Sequence, residues 1–188
     1  LSGCSTFLFY PTKEYVTDLS LIGIPVRDIR LETPDNIRLN AWFVPAFDPK
    51  TKTETPPKGT ILFLHGNAEN ISTHILGVLW LSFEGYNIFA LDYRGFGQSQ
   101  GSPSLSGAET DIQTALDWLI KHQTGDIFVL GQSIGGALTL SAINKSPDKD
   151  KVSALVIDSA FSGTRKIARE KIGASILFWA FQYPISWT

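Results

Sequence analysis

Leu130-Gly131-Gln132-Ser133-Ile134-Gly135-Gly136-Ala137 is the stretch that decides how this chain is read. It places a serine inside Gly-x-Ser-x-Gly, directly after the apolar run Ile127-Phe128-Val129-Leu130 and directly before a segment with helical spacing. A strand that turns at once into a helix strains its turn residue. Glycine is needed two positions to either side because a side chain there would strike the neighbouring strand or helix. The result is a hydroxyl held clear of the backbone at a helix N-terminus, where the dipole favours developing negative charge. Ser133 is therefore the candidate nucleophile. The competing reading is a glycine-rich strand–helix turn with an incidental serine, and the strand before, the helix after and a second motif at His65 all weigh against it.

Three further short apolar runs share the character of Ile127–Leu130, namely Ile61–Leu64, Ile88–Leu91 and Ala154–Ile157. Each is too short for a helix and lacks alternation, which is how strands buried on both faces read. Between them lie helical segments. Ile75, Leu76, Leu79 and Phe83 mark one; Ala108, Ile112, Ala115, Leu116, Leu119 and Ile120 mark a second; Ala137, Leu138 and Ile143 follow Ser133. Strand–helix alternation of this kind predicts an α/β fold, a mostly parallel sheet with helices on both faces. Upstream, Val26, Ile29 and Leu31, then Ile37, Leu39, Trp42 and Val44, read as two strands around the turn Thr33-Pro34-Asp35-Asn36, an antiparallel hairpin entering that sheet. Phe47 to Gly59 is polar and rich in Pro, Lys and Thr, a surface loop.

The 188 residues make one domain, with 43% hydrophobic and 18% charged residues. A net charge of −2 with mixed signs and no basic stripe excludes nucleic acid as a partner. The single cysteine, Cys4, rules out an internal disulfide and a cysteine metal cluster. Its setting, Leu1-Ser2-Gly3-Cys4, matches the end of a bacterial lipoprotein signal, and a sole cysteine at that position has no structural use. The expectation is that Cys4 is lipidated, that residues 1–23 are a lipobox remnant and tether, and that the protein is held to a membrane of the bacterial cell envelope. One acyl chain anchors only marginally, so stable attachment calls for a diacyl modification.

His65-Gly66-Asn67 closes the first buried strand, and chemistry in open α/β sheets gathers at the carboxyl ends of strands. The backbone N–H of Asn67 is expected to join that of Ile134 in an oxyanion hole. His65, as the last residue of a buried strand, is read as a scaffold residue; the alternative makes it the general base. Asp92-Tyr93-Arg94-Gly95-Phe96-Gly97-Gln98-Ser99 follows the next strand as a tight loop. No lysine follows and no helix starts at its last glycine, so it is not a phosphate-binding loop. Asp92 and Arg94 are read as a structural ion pair pinning it.

Taken in this order and spacing, His65-Gly66-Asn67, Asp92-Tyr93-Arg94-Gly95-Phe96-Gly97 and Gly131-Gln132-Ser133-Ile134-Gly135-Gly136 resemble an α/β-hydrolase, most nearly the Bem46-like serine hydrolases that are sometimes classed with serine aminopeptidases. The start of the chain, Cys4 followed by Phe9-Tyr10-Pro11, is similar to bacterial lipoprotein members of that group. The resemblance implies a Ser–His–Asp hydrolase acting on small-molecule esters or related acyl compounds, with no metal and no cofactor.

In that fold the triad runs Ser, acid, His along the chain. Here all three histidines, His65, His74 and His122, precede Ser133, and the carboxylates after it are few: Asp148, Asp150, Asp158 and then Glu170 alone. Asp158, at a strand end, is a minor candidate for the acid; such a residue more often binds loop backbone. Two explanations stand. In the first the chain is the N-terminal two-thirds of a hydrolase, with residues 24–174 an incomplete core whose last strands, acid and histidine are missing. In the second it is a pseudo-hydrolase that binds without cleaving, an envelope scaffold. The first is preferred because the strand through Val152–Ile157 otherwise presents a hydrophobic edge. Residues 175–188, apolar and aromatic but short of the roughly 20 needed to span a bilayer, are read as the start of a cap over the acyl pocket, with an interfacial segment as the alternative.

Overall fold

The computed structural model describes residues 9–159. A six-stranded sheet organises them: β1 (Arg27–Glu32), β2 (Arg38–Val44), β3 (Thr60–Leu64), β4 (Asn87–Asp92), β5 (Ile127–Gln132) and β6 (Val152–Asp158), in the spatial order β6-β5-β3-β4-β2-β1. Strands β3 to β6 are mutually parallel, while β2 runs antiparallel to both β1 and β4. The expected hairpin-plus-parallel sheet is therefore present. Its turn is held by Thr33, whose hydroxyl accepts the Ile37 N–H at 2.9 Å, and by Asn36 at φ 61°, a left-handed conformation that asparagine tolerates.

Among the described residues four α-helices complete the layers: α1 (Ile71–Val78), α2 (Trp80–Phe83), α3 (Leu105–His122) and α4 (Ile134–Lys145). Alternate residues of each strand enter different cores. Ala41, Phe43, Leu62, Leu64, Phe89 and Leu91 pack with α3 and α4, whereas Trp42, Val44, Phe63, Ile88 and Ala90 pack with α1 and α2. With both faces covered, the central positions Ile61–Leu64 of β3 and Ile88–Leu91 of β4 are all apolar, which explains the continuous runs.

The outcome differs from the sequence reading in three places. β2 is buried at every residue from Leu39 to Val44, because it lies inside the sheet; only the outer strand β1 shows the expected alternation. The first helix is broken in two: the Ser82 hydroxyl and N–H both take the Leu79 carbonyl, at 2.8 and 3.0 Å, tightening the chain there, and Leu76 and Phe83 end up exposed. β6 has a single neighbouring strand among the described residues, and its Leu155 and Val156 are exposed rather than buried.

Residues 9–23 lie on the core, a placement that no local pattern foretells. Tyr10–Pro11 pairs in parallel with Ala68–Glu69, Phe9 sets its ring edge-on to Phe96 at 5.9 Å, and Leu19 is fully buried. Cys4 and residues 175–188, with the expectations attached to them, lie outside the described residues, as does Glu170.

Candidate active site

Because β3, β4, β5 and β6 are parallel, their carboxyl ends share one edge of the sheet, and the candidate residues all meet there. Ser133 is the residue between β5 and α4, at φ 56°, ψ −118°. That conformation is costly for a residue with a side chain, on the order of 1–3 kcal/mol. It is enforced from outside: the Ser133 N–H donates to the Asp158 carbonyl at 2.8 Å, and its carbonyl accepts from Gly136 at 3.1 Å. The glycine requirement is steric. A Cβ on Gly135 would sit 2.1 Å from the Leu64 carbonyl oxygen, and one on Gly131 would sit 2.5 Å from Thr139 Oγ1 and 2.6 Å from Gly136 Cα. A serine that starts a helix ordinarily spends its hydroxyl capping the first turn. Ser133 makes no such bond, which leaves Oγ for other chemistry.

The loop after β3 lies against this turn. A Cβ on Gly66 would be 3.9 Å from the Ser133 Cβ. His65 is fully buried, and its Nδ1 is 2.8 Å from the Gly66 carbonyl oxygen. A carbonyl can only accept, so Nδ1 donates. The C=O and N–H of a trans peptide point in opposite directions. Holding the Gly66 carbonyl toward His65 therefore aims the Asn67 N–H the other way. Among the described residues neither the Asn67 N–H nor the Ile134 N–H, the first of α4, has a hydrogen-bond partner. The His65 ring itself is packed against His74, Tyr93 and Phe96 at 4.8–5.2 Å, and it makes no bond to Ser133.

The expected Asp92–Arg94 pair does not form. Arg94 instead holds Asp111 of α3, with Nε and Nη2 on Oδ1 at 3.0 and 2.8 Å and its backbone N–H on Oδ2 at 2.7 Å, and it reaches Asp35 of the hairpin turn at 2.8 Å. Asp92 is the last residue of β4 and Arg94 lies beyond it in the loop, outside the strand's alternation, so the two side chains enter different surroundings. Burial pushes the Asp111 carboxyl up and the guanidinium acts against it; the exposed Asp35 carboxyl is held well below the usual carboxylate range by Arg94. Asp92, fully buried, accepts from the Tyr15 hydroxyl at 2.6 Å and from the Ile71 N–H at the start of α1 at 2.8 Å, with His65 Nε2 3.5 Å away.

Tyr15 also accepts from Asn40 Nδ2 at 2.6 Å, so one phenol ties the N-terminal arm to two strands. Burial, reinforced by the Asp92 charge, raises its pKa above the ordinary phenol value. A raised folded-state value means the neutral phenol is favoured by the fold. That contribution is whole below about pH 10, where the unfolded phenol titrates, and is lost as pH rises above it. Tyr15→Phe is expected to cost about 1–3 kcal/mol at pH 7, because two buried polar groups lose a partner. It should also make the alkaline loss of stability shallower. Urea titrations at pH 7 and pH 11 check both, and parallel losses in the two proteins count against the Tyr15–Asp92 account.

Asp158 makes the backbone bond to Ser133 just described, and its side chain faces Ser159 and Gln132 at 2.8 and 3.5 Å. Its side chain thus meets two other side chains rather than loop backbone, and it makes no bond to a histidine among the described residues. Two residues that the sequence did not mark stand at the site: His74 on α1, with Nε2 3.0 Å from the Ala68 carbonyl, and Gln132, whose Oε1 is 3.1 Å from His74 Nδ1. No spacing signal points to either, since they meet only when α1 folds over the end of β5. A groove of about 400 Å³ lies under the N-terminal arm, lined by Tyr15, Leu21, Trp42 and Gln98 among others; it holds neither Ser133, Asn67 nor Ile134. Among the described residues no helix is long and apolar enough to cross a membrane.

The likenesses to known proteins agree with this architecture. The family profile described as serine aminopeptidase, S33, matches residues 55–182, more than half of the chain. YfhR of Escherichia coli (strain K12) is 36% identical over 174 residues, covering 90% of this chain and 58% of its own length. The protein bem46 of Schizosaccharomyces pombe is 34% identical over 169 residues, covering 84% and 54%. The chain therefore spans little more than half the length of these relatives. Among solved structures, an alpha-beta hydrolase from Vibrio vulnificus superposes with a TM-score of 0.73 over 93% of this chain and 64% of that one, at 20% identity. An esterase, Pf2001, of Pyrococcus furiosus does so with a TM-score of 0.70 over 90% and 65%, also at 20% identity. The shared fold, the matched profile and relatives above 30% identity converge, and the chain belongs to the serine aminopeptidase S33 family of α/β-hydrolases as a Bem46-like member.

Proposed function

We propose that this chain carries the nucleophile and the oxyanion hole of a serine hydrolase acting on small-molecule esters or related acyl compounds. Ser133 Oγ attacks the acyl carbonyl. The resulting oxyanion is held by the N–H groups of Asn67 and Ile134, the leaving group departs, and water releases the acyl group from Ser133. One observation carries the reading above the others: Ser133 is forced to φ 56° with its hydroxyl unspent, against a loop whose Asn67 N–H is turned away from His65. A proton acceptor is needed, because a serine hydroxyl alone is a poor nucleophile at neutral pH. His65 Nδ1 is held by Gly66 while its buried Nε2 has no hydrogen-bond partner and faces Asp92 at 3.5 Å, both nitrogens of His74 are taken by Ala68 and Gln132, and His122 Nδ1 bonds Trp118 within α3; none of the three histidines bonds to Ser133. On this reading the acid and the histidine of the triad lie outside these 188 residues. The same proposal keeps Cys4 as the lipid attachment point in the bacterial envelope, on the strength of Leu1-Ser2-Gly3-Cys4 alone.

A fluorophosphonate probe tests the chemistry directly, with peptide mapping of the labelled residue in the protein at its full natural length. Stoichiometric label on Ser133 is the expected result. Label elsewhere, or none, overturns the assignment.

A further inference from the structure

The two oxyanion donors of the proposed reaction come from different elements: Asn67 from the loop after β3, Ile134 from the first turn of α4. Such donors act only when both sit within hydrogen-bond distance of one atom, a tolerance of about half an ångström. The sheet brings the two elements near each other through the pairing of Leu64 with Gly131, but β3 ends there and the loop continues without ladder bonds to β5. His74 bridges the remainder. Its Nε2 is 3.0 Å from the Ala68 carbonyl oxygen, one residue past Asn67, and its Nδ1 is 3.1 Å from Oε1 of Gln132, one residue before Ser133. Among the described residues no other side chain hydrogen-bonds both the loop and the elbow. The Ala68 carbonyl and the Gln132 amide oxygen can each only accept, so both ring nitrogens donate, as in the doubly protonated imidazole.

Further contacts make the bridge stiff. The His74 ring stacks on the buried His65 ring, with centroids 5.2 Å apart and planes 21° apart, and His65 in turn grips the Gly66 carbonyl. The Asn67 carbonyl is taken by the Tyr10 N–H at 2.7 Å, so the carbonyls of Gly66, Asn67 and Ala68 are all held. A Cβ on Gly66 would come within 3.3 Å of His74 Cε1 as well as 3.9 Å of Ser133 Cβ, so the loop is sandwiched between His74 and the nucleophile. On the far side, Gln132 Nε2 faces Asp158 Oδ2 at 3.5 Å, which leaves its oxygen for His74.

We infer that His74 is a positioning residue that holds the Asn67 and Ile134 N–H groups in register through one bond to each half of the oxyanion hole. The inference rests on the serine-hydrolase reading and adds to it a residue that touches no substrate.

Isosteric replacements separate the two bonds. His74→Gln puts an amide nitrogen where Nε2 stands and keeps the loop bond alone; His74→Asn puts one where Nδ1 stands and keeps the elbow bond alone; His74→Phe keeps the ring stack and loses both. Hydrolysis of p-nitrophenyl acetate is measured in the protein at its full natural length, normalised to fluorophosphonate-titrated Ser133, with Ser133→Ala as the control. The expected result is a kcat about ten- to a hundredfold lower for His74→Phe with KM within about twofold, since a misplaced oxyanion donor weakens the transition state and not substrate binding. His74→Gln and His74→Asn should fall between His74→Phe and the unsubstituted protein. The inference is overturned if all three keep kcat per titrated site within about twofold, or if they lose folded protein without any change in kcat per site. Turnover that survives Ser133→Ala overturns the serine-hydrolase reading and this inference with it, whereas unchanged kcat in the His74 variants beside a dead Ser133→Ala overturns this inference alone.

Discussion

Ser133→Ala is expected to lower kcat for an activated ester by on the order of 10⁴-fold or more, the scale on which a serine nucleophile acting with its base and oxyanion hole contributes. The melting temperature should barely move. Alanine has a Cβ and must adopt the same φ of 56°, and the Ser133 hydroxyl takes no part in capping α4, so the substitution removes no structural bond among the described residues. Ser133→Gly separates chemistry from strain. Glycine adopts this conformation without penalty, so it should be more stable than Ser133→Ala by about 1 kcal/mol while equally inactive. Ester hydrolysis and thermal unfolding of the three proteins supply the check. Turnover of Ser133→Ala within tenfold of the parent would remove Ser133 from the mechanism. A glycine variant no more stable than the alanine one would mean that the turn relaxes and stores no strain.

The largest expected loss of stability comes from Arg94→Met, about 3–5 kcal/mol. Asp111 is fully buried, where burial pushes its carboxyl up and the Arg94 guanidinium and backbone N–H act against that; methionine fills similar volume but leaves the buried carboxyl without its guanidinium partner. Asp35→Asn, which breaks the other half of the same network, should cost a small fraction of that, because Asp35 is half exposed and its partner keeps Asp111. The acid limb should distinguish them as well. Asp35 has a depressed carboxyl pKa, so its contribution is present above about pH 4 and lost as pH falls toward its lowered folded value, and Asp35→Asn flattens that limb. Urea unfolding at pH 7 and pH 3 measures both. Equal costs for Arg94→Met and Asp35→Asn at pH 7 would show that the buried half of the network is not what holds the loop.

The contrast between Ser133 and Arg94 marks the boundary of what local sequence dictates. The elbow was legible because its constraint is steric and short-range: Gly131 and Gly135 must lack side chains for β5 to turn into α4, and the turn occupies eight consecutive residues. The buried strands were legible for a similar reason, since a run such as Ile88–Leu91 has nowhere polar to point once both faces are covered. Arg94 was identified as a loop anchor but matched to the wrong carboxylate, because nearness in sequence puts Asp92 two residues away and the fold puts Asp111 beside it, on a helix seventeen residues further along.

The sequence by itself thus determined the α/β layering, the strand–helix turn at Ser133 and, through motif order, the family. Those properties follow from periodicity and from clashes within a few residues. Only the tertiary structure decided that residues 9–23 dock on the core through Tyr15, that Asp92 serves Tyr15 and α1 rather than Arg94, and that His74 spans the gap between the loop after β3 and Gln132. Each of these joins groups from elements distant in sequence. Their partners are selected by which surfaces the packed sheet brings together, and a hydrogen bond across such a gap leaves no period in the chain that makes it.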